Sequence, residues 1–339
     1  MSKKVFAVAL VLALLFSAVT QMQLVNLVAA NFGPPPPPEL PHIYIKSDGN
    51  VDPATAPIQR DGEVYTFTSH IVNYSIVVQR NNIVIDGEGY SLQNGAWGDE
   101  GIALSVVSNV TIKNMEIEGF HYGVVIGNSS HNTIIGNYIV NNSYAIILEF
   151  SPFNNITKNL VTATYSYGIN LWESNNNTIT KNSVTNNTYG IGIWHSSNNT
   201  IVGNNIVNNQ IGMGLYAATN NRYYHNNFIS NAQNLEINNY GFPSRYTNFG
   251  DNGAEGNYWS DYNGEDANGD DIGDTPYEIP DQNGISNDQD RYPLMIPLDT
   301  PNPIPEFPSW IILPLCTITT LFVIIIKKKM QISISGVNQ

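Results

Sequence analysis

A four-residue apolar segment returns through the middle of this chain at a nearly fixed interval, and no other feature restricts the fold so sharply. Gly123-Val124-Val125-Ile126, Ala145-Ile146-Ile147-Leu148, Gly168-Ile169-Asn170-Leu171, Gly190-Ile191-Gly192-Ile193 and Gly212-Met213-Gly214-Leu215 follow one another at 22, 23, 22 and 22 residues. Gly101-Ile102-Ala103-Leu104 precedes them by 22, and Asn234-Leu235-Glu236-Ile237 follows by 22. A unit this short cannot bury its apolar face alone and must stack on copies of itself. A second register runs beside the first, with Asn114, Asn137, Asn159, Asn182, Asn204 and Asn226 each flanked by aliphatic residues. Two short alternating strands per unit, separated by Asn, Gly, Ser and Thr, leave no room for a helix. Leucine-rich repeats share the length, but leucine is sparse here. The expectation is an all-β, right-handed, single-stranded parallel β-helix with coils of about 22 residues, seven to nine in number.

Stacking turns sequence offsets into columns. Counted from the glycine position, offsets +1 and +3 are aliphatic or Met throughout and face the core. Offset +4 faces out and reads Gly127, Glu149, Trp172, Trp194, Tyr216, Asn238. Trp172, Trp194 and Tyr216 would therefore form an exposed aromatic strip, suited either to sugar rings or to ordinary cross-strand packing. Tyr122, Tyr144, Tyr167 and Tyr189, one residue before the glycine position, form a second column expected to stiffen a corner. Asn137, Asn159, Asn182, Asn204 and Asn226 are expected at a bend, where an amide ladder bonds coil to coil. Lys113, Lys158 and Lys181 read as solvated turn residues.

Carboxylate chemistry needs two or more acids on one face, and no aspartate occurs between Asp99 and Asp251. The repeat offers Glu116, Glu118, Glu149, Glu173 and Glu236, with no arginine or histidine column beside them. No catalytic residue is assigned. Copper would need clustered His, Met or Cys; His121, His131, His195 and His225 are scattered, and Met115 and Met213 lie in different coils. Beyond Ile237 the period fails and an acidic module begins. There Asp266, Asn268, Asp270, Ile272 (through its carbonyl) and Asp274 match the first ligands of an EF-hand-type calcium loop. Asp271 stands where that loop has Gly and Tyr277 where it has Glu, so Glu278 or Asp281 would have to close the site. The alternatives are calcium or a solvated acidic loop.

The ends speak of export. Lys3 and Lys4, the apolar run Val5 to Val19 and the small residues Val28-Ala29-Ala30 follow the order of a secretory signal, the alternative being an uncleaved anchor. Near the other end, Trp310 to Ile326 is almost wholly apolar and precedes Lys327, Lys328 and Lys329, as in a membrane helix with its basic flank inside. The single cysteine, Cys316, lies in that span. The formal net charge of -14 argues against nucleic acid and anionic lipid as partners. The expected organisation is a signal peptide over 1–30, a Pro-rich linker and entry segment over 31–60, and coils over 61–245. An acidic cap over 246–296, a Pro-rich stalk over 297–308, an anchor over 309–326 and a basic cytoplasmic tail over 327–339 complete it.

Two resemblances accompany this reading. Ile304-Pro305-Glu306-Phe307-Pro308-Ser309-Trp310, with the apolar span and lysines behind it, resembles archaeal Pro-Glu-Phe sorting signals, which implies cutting by an archaeosortase and attachment to lipid. The opening Ile83-Val84-Ile85-Asp86-Gly87, the Asn-Asn-Thr-Ile-x-x-Asn repeats at Asn176 to Asn182 and Asn198 to Asn204, and the ending Gly256-Asn257-Tyr258-Trp259-Ser260-Asp261-Tyr262 through Arg291-Tyr292-Pro293-Leu294-Met295 resemble the NosD family. That resemblance spans His42 to Met295. It implies a β-helix outside the cytoplasm and copper handling for nitrous oxide reductase maturation; a carbohydrate-binding and sugar-hydrolase association also attaches to such repeats. The leading expectation is a non-catalytic β-helix at the cell surface that binds glycans or envelope proteins. The rivals are a copper-handling accessory protein and a carbohydrate-active lyase or hydrolase.

Overall fold

The computed structural model describes residues 40–238, 247–279 and 288–299. The signal segment, the Pro-Glu-Phe stretch and the C-terminal apolar span lie outside the described residues, as does Asp281. No helix among the described residues is long and apolar enough to cross a membrane.

One coil shows the construction. Thr178–Thr180, Ser183–Thr185 and Tyr189–Trp194 are its three strands, where the sequence pattern suggests two. The short apolar run around each ladder asparagine reads as one strand, but the chain turns at Lys181 and Asn182 and puts three residues on either side. Ile179, Val184, Ile191 and Ile193 point inward with no exposure. Each strand pairs in parallel with its counterpart one coil away, so that Ile134, Ile156, Ile179 and Ile201 form one column. Eight coils follow one another from Val64–Phe67 to Gln233–Asn238. Ahead of them, Ile58–Asp61 pairs antiparallel with Val64–Phe67, and His42–Ile45 pairs antiparallel with Val51–Asp52. At the far end the aliphatic columns give way to Tyr223 and Phe228, and Trp259 stacks on Phe228 at 4.3 Å. All three rings are almost wholly buried.

The corners use left-handed backbone. Asn176, Lys181, Asn186 and His195 take φ of 58°, 55°, 57° and 48°, and their counterparts Asn198, Gly203, Asn208 and Ala217 do the same one coil later. A left-handed residue carries a modest cost that Gly, Asn and Asp bear best, which accounts for much of the asparagine. It also separates the three lysines: Lys158 and Lys181 occupy such corners, whereas Lys113 is in register with Ile135, Thr157 and Thr180 inside a strand.

Inside the corners run hydrogen-bonded ladders. Asn137, Asn159, Asn182, Asn204 and Asn226 stand in one column. Each backbone N–H and each side-chain Nδ2 donates to Oδ1 of the next, at 2.9 to 3.1 Å. Nδ2 also donates to the carbonyl of a core residue, as Asn204 does to Ile179 at 2.9 Å. The first member is not Asn114 but Met115, whose N–H donates to Asn137 Oδ1; the last donates to Asn257. A second ladder links Asn132, Asn154, Asn177, Asn199, Asn221 and Asn248. A third runs through Asn187, Asn209 and Asn231, and a serine ladder through Ser129, Ser151, Ser174 and Ser196. All of these groups but Asn231 are buried, and unpaired each would cost about 1–3 kcal/mol.

Candidate functional site

The third strand of each coil carries three outward columns side by side. The first is Glu100, Tyr122, Tyr144, Tyr167 and Tyr189; the second Val125, Ile147, Asn170, Gly192 and Gly214; the third Glu149, Trp172, Trp194 and Tyr216. The rings of the first column stack, with Tyr144–Tyr167 at 5.8 Å and Tyr167–Tyr189 at 4.4 Å, 14° and 16° from parallel. Trp172 and Trp194 stack at 5.8 Å and 23°. The tyrosine column therefore does more than stiffen a corner. It faces the tryptophan column across the middle residues, and the two walls enclose a concavity of about 290 Å³ floored by Ile147 and Asn170.

The floor is uneven for a local reason. Gly192 and Gly214 have no side chains, and aromatic rings lie over them: a Cβ on Gly192 would stand 2.6 Å from Tyr167 Cε1, and one on Gly214 2.4 Å from Tyr216 Cε2. Tyr216 is thereby drawn onto the strand and is only 4% exposed, against 38% for Trp172. This corrects the expectation of an exposed three-ring strip: Trp172 is exposed, Trp194 is stacked between it and Tyr216, and Tyr216 is buried. Burial pushes the Tyr167 and Tyr216 phenols well above the usual range, with Tyr189 adding to the first and Glu236 to the second. Both stay protonated hydrogen-bond donors at neutral pH.

Two polar groups line the concavity. Glu149 is exposed at the head of the tryptophan column, in register with Trp172. Asn170 is 5% exposed, and its Oδ1 is buried without a hydrogen-bond partner. Glu173, on the coil next to Glu149, sits past the strand end in a left-handed corner and does not line the concavity.

The acidic loop turns its side chains onto its own backbone. Asp266 accepts from the amides of Gly269 at 2.7 Å and Asp271 at 2.9 Å, Asn268 and Asp270 from the amides two residues on, and Asp274 from Ala267 at 2.8 Å. Ile272 bridges to Leu294, and Glu278 pairs with Gln289 in a two-residue strand. Among the described residues no three of His, Cys, Asp or Glu gather as a metal-holding group.

The histidines have other settings. His131, His195 and His225 occupy left-handed corners, with His195 edge-on to Trp172 and His225 2.7 Å from Glu255. His70 Nδ1 lies 2.7 Å from Ser91 Oγ, and His42 makes the same contact with Ser75. Both serines are buried, so neither pair presents a nucleophile.

Near the end of the chain, Asp290 is fully buried and accepts from the Asn257 amide at 2.7 Å, Trp259 Nε1 at 2.9 Å and the Tyr292 amide at 3.1 Å. Burial outweighs these donors and pushes its carboxyl up to about 6. Gly256 is required beside it, since a Cβ there would fall 1.8 Å from Asp290 Oδ1. Sequence reading missed this residue; the fixed company of Gly256, Asn257 and Trp259 was its signal.

The family model described as Periplasmic copper-binding protein (NosD) matches residues 62–264, more than half of the chain. No curated protein matches. Similar solved structures include the periplasmic alginate epimerase AlgG, at 19% identity over 49% of this chain and 40% of that one, with a TM-score of 0.39. The Azotobacter vinelandii mannuronan C-5 epimerase AlgE4 A-module matches at 13% over 50% and 55%, TM-score 0.43. Pectate lyase Pel9A matches at 15% over 52% and 58%, TM-score 0.37. The chain thus spans about half the length of these structures.

Proposed function

We propose that this chain, which belongs to the NosD family, is a non-catalytic extracytoplasmic β-helix that binds glycan in the groove between its tyrosine and tryptophan columns. The supporting observation is the groove itself. Stacked aromatic rings line both sides at a pitch set by the coils, and Trp172, the first ring of its column and exposed, has one face with no ring stacked on it for a sugar to cover. The volume of about 290 Å³ lies at the lower edge of small-molecule sites, which suits one or two residues of a chain whose remainder runs along the groove. Asn170 adds a polar reason. Its amide lines the concavity among the aromatic rings, a polar group of the kind that orients a ligand in an otherwise apolar site.

A lyase or hydrolase needs a second acid or base opposite the first, and Glu149 is the one carboxylate lining the concavity among the described residues. Copper, which the family description names, fits the described residues poorly. A copper site wants two or three soft or imidazole donors converging, and the histidines here stand singly at corners and edges, engaged with aromatic rings, serine or Glu255. Calcium at Asp266, Asn268, Asp270, Ile272, Asp274 and Glu278 would bear on the C-terminal cap and not on the groove, which none of these residues lines.

Glycan-array screening followed by calorimetric titration tests the reading. Trp172→Ala and Trp194→Ala are expected to weaken binding at least ten-fold while the far-ultraviolet circular dichroism stays unchanged. Binding that survives both substitutions intact would remove the groove as the site.

A further inference from the structure

We infer that the groove selects its glycan by charge, accepting uncharged or amino-bearing sugars and rejecting uronic acids. The inference rests on the glycan reading and narrows it. All three columns that build the groove carry a carboxylate: Glu100 heads the tyrosine column, Glu149 heads the tryptophan column and lines the concavity, and Glu236 follows Gly214 in the middle one. No lysine or arginine lines the concavity among the described residues. The cations of the same coils are elsewhere: Lys113 and Arg222 lie in first strands, and Lys158 and Lys181 at the corner after the first strand. Lysine and arginine are therefore kept off the aromatic face, where the basic side chains are the imidazoles of His121 against Tyr122 and Tyr144 and of His195 against Trp172.

The rings reinforce this sign. An aromatic face is negative and attracts a cation within about 6 Å, so the unstacked face of Trp172, on the coil next to Glu149, favours an ammonium on a sugar ring. A uronate seated between the same walls would bring its carboxylate toward Glu149 with no guanidinium or ammonium to compensate. Uncharged sugars meet neither effect and bind by stacking and hydroxyl contacts alone.

The test titrates the purified full-length chain with three oligosaccharides of equal length, composed of glucosamine, N-acetylglucosamine and galacturonate. The galacturonate oligomer is expected to bind at least ten-fold more weakly than the N-acetylglucosamine oligomer, and the glucosamine oligomer at least as tightly as that neutral reference. Glu149→Gln should narrow the gap between galacturonate and N-acetylglucosamine several-fold, and 1 M salt should narrow it likewise by screening. Galacturonate binding as tight as N-acetylglucosamine, still abolished by Trp172→Ala, would overturn charge selection and leave the glycan groove standing. Saturable binding of none of the three would overturn the proposed function and this inference with it.

Discussion

Trp194 and Tyr216 lie face to face, 3.9 Å between ring centroids and 17° from parallel, yet they belong to different environments. Tyr216 is folded over Gly214 and buried, while Trp172, on the other side of Trp194, is the most exposed ring of the column. The column is therefore graded, with a buried ring at one end and an exposed ring at the other. Tyr216→Ala should cost about 3–5 kcal/mol of stability, as truncation of a buried aromatic does. Trp172→Ala should stay within about 1 kcal/mol of the parent. Equilibrium denaturation of both variants checks the contrast.

Gly192 offers a way to disturb the groove from its floor. An added Cβ meets Tyr167 Cε1 at 2.6 Å and Asn170 Oδ1 at 2.8 Å, both side-chain atoms that can move. Gly192→Ala should push the Tyr167 ring from its stacked position, weaken glycan binding several-fold and leave the midpoint of thermal unfolding within a few degrees. A change in tyrosine fluorescence without loss of the β-sheet circular dichroism would register the displaced ring.

Asn204 should be among the most sensitive positions outside the aliphatic core. It accepts from both the backbone and the side chain of Asn182, and donates to Ile179 and Asn226. Asn204→Ala strands several buried groups at once, each worth about 1–3 kcal/mol, so a loss on the order of 4 kcal/mol is expected in urea denaturation. A loss below about 1 kcal/mol would mean that water enters the corner and replaces the amide.

The pH dependence of the cap follows from Asp290. Its folded carboxyl is raised to about 6 from an ordinary value of 3.8, so the folded state holds its proton where the unfolded chain has lost it. The stabilisation is full below pH 4 and is lost as pH rises through about 6, worth about 3 kcal/mol across that window. Asp251 has the opposite sign. Burial raises it, but the Arg291 guanidinium and the Arg291 and Gly253 amides carry it below its usual value, so its contribution is lost only under stronger acid. Stability measured at pH 5 and pH 7.5 should thus favour pH 5, and Asp290→Asn should flatten the difference.

Much of this architecture was legible because a stacked repeat writes its contacts as columns. Ile169, Ile191 and Met213 could be placed in the core from spacing alone, and Asn182 at a bend. What spacing could not convey was the angle of the corners. Thr178 to Thr185 reads as one alternating run, and only the left-handed Lys181 divides it. The Asn132 and Ser129 ladders recur at the same interval, but asparagine and serine fill so many corners that their columns do not stand out. Tyr216 was misplaced because its exposure depends on Gly214, two residues away on the same strand. The groove was missed because its walls were read as separate columns, and they face each other only once the strand between them is folded.

The amide ladders have a sense. In each of them an N–H points to the acceptor one coil further on, so at the last coil a donor is left over. The Asn257 N–H meets Asp290, that of Asn248 meets Asp288 and the Asn234 side chain meets Asp261. An asparagine in those places would hand on another donor and invite another coil. A carboxylate only receives. The aspartates absent between Asp99 and Asp251 return where this relay of donors ends, so the last coil hands its N–H groups to acceptors and keeps no unsatisfied amide there.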